Sequence, residues 1–258
     1  MNILDTIVAQ KRLEVARLPA RPVTPEAIRS ARRAPRDFIS ALQRASVNRP
    51  ALIAEVKKAS PSAGIICSDF DPVRIASEYE AAGAACLSVL TDVEFFQGSQ
   101  EYLRQIRAAV ALPLLRKDFI IDDRQILESV ENGADAILLI VRILTDEQLR
   151  RFHTLAVEAG LAALVEVHDE GELERALAVN ASLVGINNRN LDNFTVDLET
   201  TARLAAKAPN KFIVAESGLH NCADVQKVRR AGAGAILVGE SLLRHPGGIR
   251  AKITELLG

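Results

Sequence analysis

An α/β fold, a (β/α)8 TIM barrel with an N-terminal helical extension, is predicted by three features of this 258-residue sequence. Eight short apolar runs succeed one another from residue 52 onward, and amphipathic stretches of helical length separate them. The starts of the runs lie 34, 26, 24, 26, 21, 29 and 23 residues apart, which leaves room for a strand, a loop, a helix and a second loop each time. The runs are nearly continuous rather than alternating, so the strands should be buried on both faces and lie in a parallel sheet. A doubly wound open sheet would carry a glycine fingerprint after its first strand, and none follows Val56.

Residues 1–50 read differently from the rest. Ile3, Leu4, Ile7, Val8, Leu13 and Val15 fall near helical spacing, and Lys11, Arg12, Glu14 and Arg17 stand between them. They predict a helix that ends near Leu18-Pro19. Four prolines and several arginines over residues 19–36 predict an extended connection, and residues 37–45 a short helix. This extension is expected to cover one end of the barrel, within a single domain spanning residues 1–258.

The expected strands are 52–56, 86–90, 112–115, 136–140, 162–167, 183–186, 212–215 and 235–238. Asp71-Pro72, Asp122-Asp123 and Thr145-Asp146 are helix openers, an acceptor side chain at the cap followed by a residue suited to the first turn. Gly83, Gly133, Gly160 and Gly232 sit where the helices should stop, each suited to a left-handed cap. Ala81-Ala-Gly-Ala, Glu131-Asn-Gly-Ala and Arg230-Ala-Gly-Ala are an internal echo of one repeated unit.

Composition excludes several function classes. Lys plus Arg total 32 and Asp plus Glu 33, so no global positive field collects nucleic acid or an anionic membrane. Two Tyr, eight Phe and no Trp leave little for stacking bases. Cys67, Cys86 and Cys222 are odd in number and far apart, and His153, His168, His220 and His245 lack ligand spacing; neither disulfides nor a metal centre is expected. From Met1 the chain meets Asp5 and then Lys11-Arg12 without an apolar core segment, so no signal peptide is expected. No apolar run is long enough to span a bilayer. A soluble, cytoplasmic protein follows.

A barrel carries its reactive groups at the C-terminal ends of its strands, where residues two apart share a face. The first strand ends with Glu55 and Lys57 on one face, which suits an acid/base pair, an anion site or a structural ion pair. The third ends with Lys117 and Phe119: a proton donor beside a ring, a Schiff-base lysine, or a plain surface lysine. The fifth places Glu166 among apolar residues, where a carboxylate needs either a cationic partner or a raised pKa. His168 follows it and reads as an incidental loop residue. The sixth ends with Asn187 and Arg189, an amide suited to hydroxyls and a guanidinium suited to a carboxylate. After the seventh and eighth, Ser217-Gly218 and Gly239-Glu240 match the place where barrels hold a phosphate at the start of a short extra helix. Phosphate would repel the Glu240 side chain, so only its N–H should serve. Together these point to a phosphorylated small molecule with a second anionic or aromatic part, worked on without metal.

Six motifs in order, Ile53-Ala-Glu-Val-Lys-Lys-Ala-Ser-Pro-Ser, Leu115-Arg-Lys-Asp-Phe, Leu164-Val-Glu-Val-His, Gly185-Ile-Asn-Asn-Arg-Asn-Leu, Ala215-Glu-Ser-Gly-Leu and Val238-Gly-Glu-Ser-Leu, resemble those of indole-3-glycerol-phosphate synthase of tryptophan biosynthesis. The resemblance covers essentially the whole chain, including Ile7-Val-Ala-Gln-Lys-Arg-Leu-Glu-Val. It implies a carboxy-lyase that closes the indole ring of 1-(2-carboxyphenylamino)-1-deoxy-D-ribulose 5-phosphate with loss of CO2 and water. It further implies Lys117 as general acid at the carbonyl and Glu166 in proton transfer during dehydration. Glu55 and Lys57 then complete the charge network, and Asn187 and Glu216 orient hydroxyls and lysines. Arg189 would meet the aromatic carboxylate, and Ser217, Gly218, Gly239 and Glu240 the phosphate. Phe96, Phe119, Leu138 and Leu237 would wall the ring, and Ser60 would lie on a mobile flap. No cofactor is implied. The chain is expected to work as a monomer on a small molecule, with other tryptophan-pathway enzymes as candidate neighbours. A Schiff-base aldolase, a sugar-phosphate isomerase and a non-catalytic phosphate-binding barrel are the rival readings.

Overall fold

The computed structural model describes residues 3–191 and 193–258; Met1 and Asn2, where the leader expectation begins, lie outside the described residues. Eight parallel strands close into a barrel: β1 (Ala51–Val56), β2 (Cys86–Leu90), β3 (Leu114–Lys117), β4 (Ala136–Ile140), β5 (Ala162–Val167), β6 (Leu183–Asn187), β7 (Phe212–Glu216) and β8 (Ala233–Val238). Closure is made by β1, which pairs with β2 through Ile53↔Cys86 and with β8 through Ala51↔Ala235. Each predicted strand is present. The third begins two residues later than expected, after Pro113, whose missing N–H keeps it out of a central ladder.

The helices after the strands are α4 (Pro72–Ala81), α5 (Gln100–Ala109), α6 (Asp123–Glu131), α7 (Asp146–Glu158), α8 (Glu170–Ala178), α9 (Glu199–Ala205), α10 (Cys222–Arg230), the short α11 (Glu240–Leu243) and α12 (Gly248–Leu257). Asp71, Asp122 and Thr145 are N-caps whose side chains accept first-turn N–H groups, as their sequence context predicted. Gly83, Gly133, Gly160 and Gly232 all have φ between 71° and 103°, the left-handed region that ends a helix cleanly.

The extension holds three helices. α1 is Ile3–Val15, α2 is Pro25–Ala31 and α3 is Phe38–Ala45. The expectation of an extended connection over residues 19–36 is therefore corrected at α2. Thr24 caps it by accepting from the Ala27 N–H, Pro25 takes the first helical position where no N–H is needed, and Ile28 is fully buried. The prolines that argued against helix include one that starts it. Phe38 and Leu42 of α3 pack into the barrel interior against Ala51, Ile53, Cys86 and Leu183, at the ends where the strands begin. α1 lies at the opposite rim, where Ile3, Leu4 and Ile7 face the mouth.

Strand alternation sorts the core into two. Ile53, Leu115, Leu138, Leu164, Val214 and Leu237 fill the interior, while residues such as Leu52, Val89, Val165 and Ile236 pack outward against the helices. The same alternation carries the inward face upward from apolar residues to polar ones: Ile53 to Glu55, Leu115 to Lys117, Leu164 to Glu166, and Val214 to Glu216.

Candidate active site

Each residue singled out in the sequence lines one cavity at the C-terminal mouth, with about 1340 Å³ of atom-free space counted to its open side. The floor and walls are polar where strands end and apolar where loops turn over them.

Lys117, at the end of β3, is the centre of the polar floor. Its Nζ lies 3.2 Å from Glu166 Oε2 on β5 and 3.7 Å from Glu216 Oε2 on β7. Burial opposes its charge, but Glu166, Glu216 and Glu55 outweigh that and hold the ammonium above its usual range. Glu166 is buried as expected. Of the two possibilities for it, a cationic partner is the one observed: burial disfavours ionisation, yet Lys117, His168 and the Asn187 amide keep the carboxyl well below its usual range.

Glu216 goes the other way. Burial pushes its carboxyl up to about 8, and the Glu166 charge adds to that against the pull of Lys117. Its Oε1 has no hydrogen-bond partner among the described residues. Two carboxyls facing one ammonium thus have proton affinities pushed in opposite directions, the pattern by which acid and base roles are separated in one site.

A second pair stands beside this group. Lys57 Nζ lies 2.5 Å from Glu55 Oε2, as their shared face on β1 predicted. Gly239 at the end of β8 makes room for it: a Cβ there would sit 2.5 Å from Glu55 Oε2 and 3.0 Å from Glu55 Cβ. Between the pairs, Asn187 Nδ2 donates to Glu166 Oε1 at 3.3 Å, and its Oδ1 accepts from Ser217 Oγ at 2.9 Å and from the Arg189 N–H at 3.0 Å. One amide therefore ties β5, β6 and the loop after β7 together. Arg189 sits on the rim, its Nη1 3.4 Å from the Phe194 carbonyl.

The loops after β7 and β8 form one side of the mouth. Ser217 and Gly218 are both left-handed, with φ of 65° and 78°. Asn188, buried under them, donates through Nδ2 to the carbonyls of Glu216 and Ser217. Ser241 Oγ donates to the Leu219 carbonyl at 3.1 Å and joins the two loops. The short helix expected after β8 is α11, with Gly239 at its N-cap position and no side chain capping it. The Glu240 carboxylate is drawn toward Arg244, 3.4 Å away, one turn along the chain. Its charge is thus offset on the side chain while its N–H belongs to an uncapped first turn.

Phe96 and Phe119 both line the mouth as a tilted pair with ring centroids 6.0 Å apart, and Leu138 and Leu237 lie in the barrel interior beside them. Ser60 is on the loop after β1, where residues Ala59–Ser60 pair with Gly64–Ile65 in a short antiparallel ladder. Its Oγ accepts from the Ala63 N–H. Among the described residues no group of His, Cys, Asp and Glu is arranged to hold a metal, and no helix is long and apolar enough to cross a membrane.

Two features escaped the sequence. Ile3, Leu4 and Ile7 contribute a wall from α1; helical spacing reveals that such a face exists but not what it packs on. His168 is not incidental. Its side chain is 5% exposed, with Nε2 3.4 Å from Glu166 Oε1 and Nδ1 2.9 Å from Glu172 Oε2. The available signal was its i,i+4 spacing to Glu172 across the start of α8.

The family model described as indole-3-glycerol phosphate synthase matches residues 4–256. Curated relatives with that name are similar over nearly the full length. The chain is 51% identical over 249 residues to the protein of Polaromonas sp. (strain JS666 / ATCC BAA-500), covering 94% of each. It is 52% identical over 246 residues to that of Desulfotalea psychrophila, again covering 94% of each. With the protein of Polaromonas naphthalenivorans it shares 49% identity over 263 residues, covering 100% of this chain and 99% of the other.

Proposed function

Because the chain belongs to the indole-3-glycerol phosphate synthase family, we propose that its barrel mouth closes the indole ring of 1-(2-carboxyphenylamino)-1-deoxy-D-ribulose 5-phosphate by the following division of labour. The reaction is that of a carboxy-lyase in tryptophan biosynthesis: CO2 and water leave and indole-3-glycerol phosphate remains.

Lys117 donates a proton to the substrate carbonyl as the aromatic carbon attacks it. The alkoxide that would otherwise develop is more basic than an amine, so the transfer runs downhill even from an ammonium held by Glu166 and Glu216. Glu166, ionised, takes the carbon-bound proton during the dehydration that makes the ring aromatic. The Glu55–Lys57 pair supplies the second donor, for the departing hydroxyl, and Lys57 also lies toward the substrate carboxylate. Asn187 and Glu216 orient the hydroxyls and the lysines.

Arg189 binds the aromatic carboxylate. The phosphate rests against the N–H groups of Ser217, Gly218, Gly239 and Glu240, at two left-handed loop residues and the start of a helical turn with no side-chain cap. Phe96, Phe119, Leu138 and Leu237 hold the ring, and the Ser60 loop closes over it. Two anionic ends anchored at opposite sides bring the reacting carbons together, which removes much of the entropic barrier.

The observation that carries this reading is Lys117 set between two carboxyls of unequal proton affinity inside the mouth. It also weakens the Schiff-base rival, because a nucleophilic amine needs a depressed pKa and Lys117 has the reverse. Incubation of the protein with the carboxyphenylamino sugar phosphate should produce indole absorbance together with CO2. Consumption of substrate without CO2, or a borohydride-trapped lysine adduct, would overturn the reading.

A further inference from the structure

The chain leaves β1 as a tight hairpin. The Lys58 carbonyl accepts from the N–H groups of Ile66 and Cys67, at 2.9 and 3.2 Å, so residues 59–65 fold back on themselves. Ala59 pairs with Ile65 and Ser60 with Gly64, and Gly64 turns the tip with a φ of 63°. Ser60, Pro61 and Ser62 line the mouth, and Pro61, Ser62, Gly64 and Ile65 are exposed. Two rungs of ladder do not hold a hairpin in place in water. Among the described residues, the hydrogen bond that ties residues 59–65 to another element comes from Arg244. Its Nη2 donates to the Ala63 carbonyl at 3.2 Å, across 181 residues of sequence.

Arg244 stands at the far end of α11. Its own N–H donates to the Glu240 carbonyl at 3.0 Å and closes that single turn. Its Nε lies 3.4 Å from Glu240 Oε1. One guanidinium thus spans from the hairpin tip to the first residue of α11, which lines the mouth. α11 is itself fastened to the loop after β7, since Ser241 Oγ donates to the Leu219 carbonyl. The hairpin is therefore moored to the side of the mouth that the loops after β7 and β8 form.

We propose that Arg244 is a positioning residue for the ring closure: it straps the hairpin after β1 over the mouth, to the side that holds the phosphate. The inference rests on the ring-closing reading above. Arg244 is not among the residues that line the cavity, so it acts through the hairpin and Glu240. Lys57, the donor for the departing hydroxyl in that reading, immediately precedes the hairpin's base at Lys58. A hairpin held down fixes the backbone that carries Lys57 and keeps water out of the mouth.

The strap is light. The Arg244 and Glu240 side chains are 46% and 39% exposed, where an ion pair is worth little, and the remaining link is one charge-assisted hydrogen bond. A link of that size opens for substrate and product in each turnover. Its geometry needs the fork of a guanidinium; the compact ammonium of a lysine reaches one partner at a time.

The test compares Arg244→Gln and Arg244→Lys with the unsubstituted chain. Amide hydrogen exchange, read by mass spectrometry without substrate, should quicken about tenfold over residues 59–66 in both variants and stay unchanged in the barrel strands. Steady-state kcat should fall by about the same factor in both, with the urea midpoint retained. Unchanged exchange over residues 59–66, full kcat in a variant whose hairpin has been freed, or a kcat loss accompanied by faster exchange throughout the barrel would overturn the strap. A protein that forms no indole before substitution would instead overturn the ring-closing reading, while exchange over residues 59–66 would still report on the hairpin, so the two failures are distinguishable.

Discussion

Glu166 and Glu216 face the same Lys117 ammonium, at 3.2 and 3.7 Å, and their proton affinities are pushed in opposite directions. Glu166 has the closer contact, the Asn187 amide and His168 to stabilise its ionised form. Glu216 has an oxygen with no partner and a proton affinity raised by burial to about 8. The division follows from placement on β5 and β7 rather than from residue type.

Glu216→Gln tests that division through stability. In the folded chain the Glu216 pKa lies near 8, above its ordinary 4.5. The folded state therefore binds more protons than the unfolded state between these values, and stability falls as pH rises across that window. A neutral amide of the same shape removes the fall. Urea unfolding should show the variant gaining about 3–4 kcal/mol on the unsubstituted protein between pH 5 and pH 8. A constant difference across the window would contradict the assignment.

Lys11 latches α1 onto the barrel. It is 3% exposed, and its Nζ lies 2.9 Å from Asp92, 2.9 Å from Asp118 and 2.7 Å from Glu14. Asp118 follows Lys117 in sequence and also binds Arg116, so the latch is built into the wall of the site. Lys11→Met leaves buried carboxylates without their cation and should cost about 3–5 kcal/mol in urea unfolding. Because Ile3, Leu4 and Ile7 ride on the same helix, KM should rise as well. An unaltered KM in the folded variant would separate α1 from substrate binding.

Gly239→Ala tests the fit between β8 and the Glu55–Lys57 pair. The added methyl would press on Glu55 Oε2 and Cβ, and crowding of this kind costs about 1–3 kcal/mol when the neighbours must shift. The expected result is a fall in kcat of about tenfold or more with the fold retained. Unchanged kcat would mean that Glu55 can move without consequence.

The barrel was legible because strands buried on both faces leave uninterrupted apolar runs, and because helix caps use side chains that announce themselves. Where β3 starts and where α2 lies were misread through proline. Pro113 belongs to the apolar run but not to the strand, which begins after it, and Pro25 opens a helix inside a stretch whose four prolines and arginines read as extended. The site's inward face was readable from strand alternation. The latch was not, since Lys11 looks like a polar spacer between apolar residues until Asp92 and Asp118 are brought to it from β2 and β3. His168 was passed over for the same reason: its value lies in what Glu166 and Glu172 present to it in space.

The measurement that bears most directly on the account is indole formation from the carboxyphenylamino sugar phosphate by Lys117→Ala, beside the unsubstituted protein. Far-ultraviolet circular dichroism should show the barrel intact, while turnover falls by at least about a hundredfold, the scale of a lost general acid. Full activity in a folded Lys117→Ala protein would contradict the role given to Lys117 and with it the reading of the whole mouth.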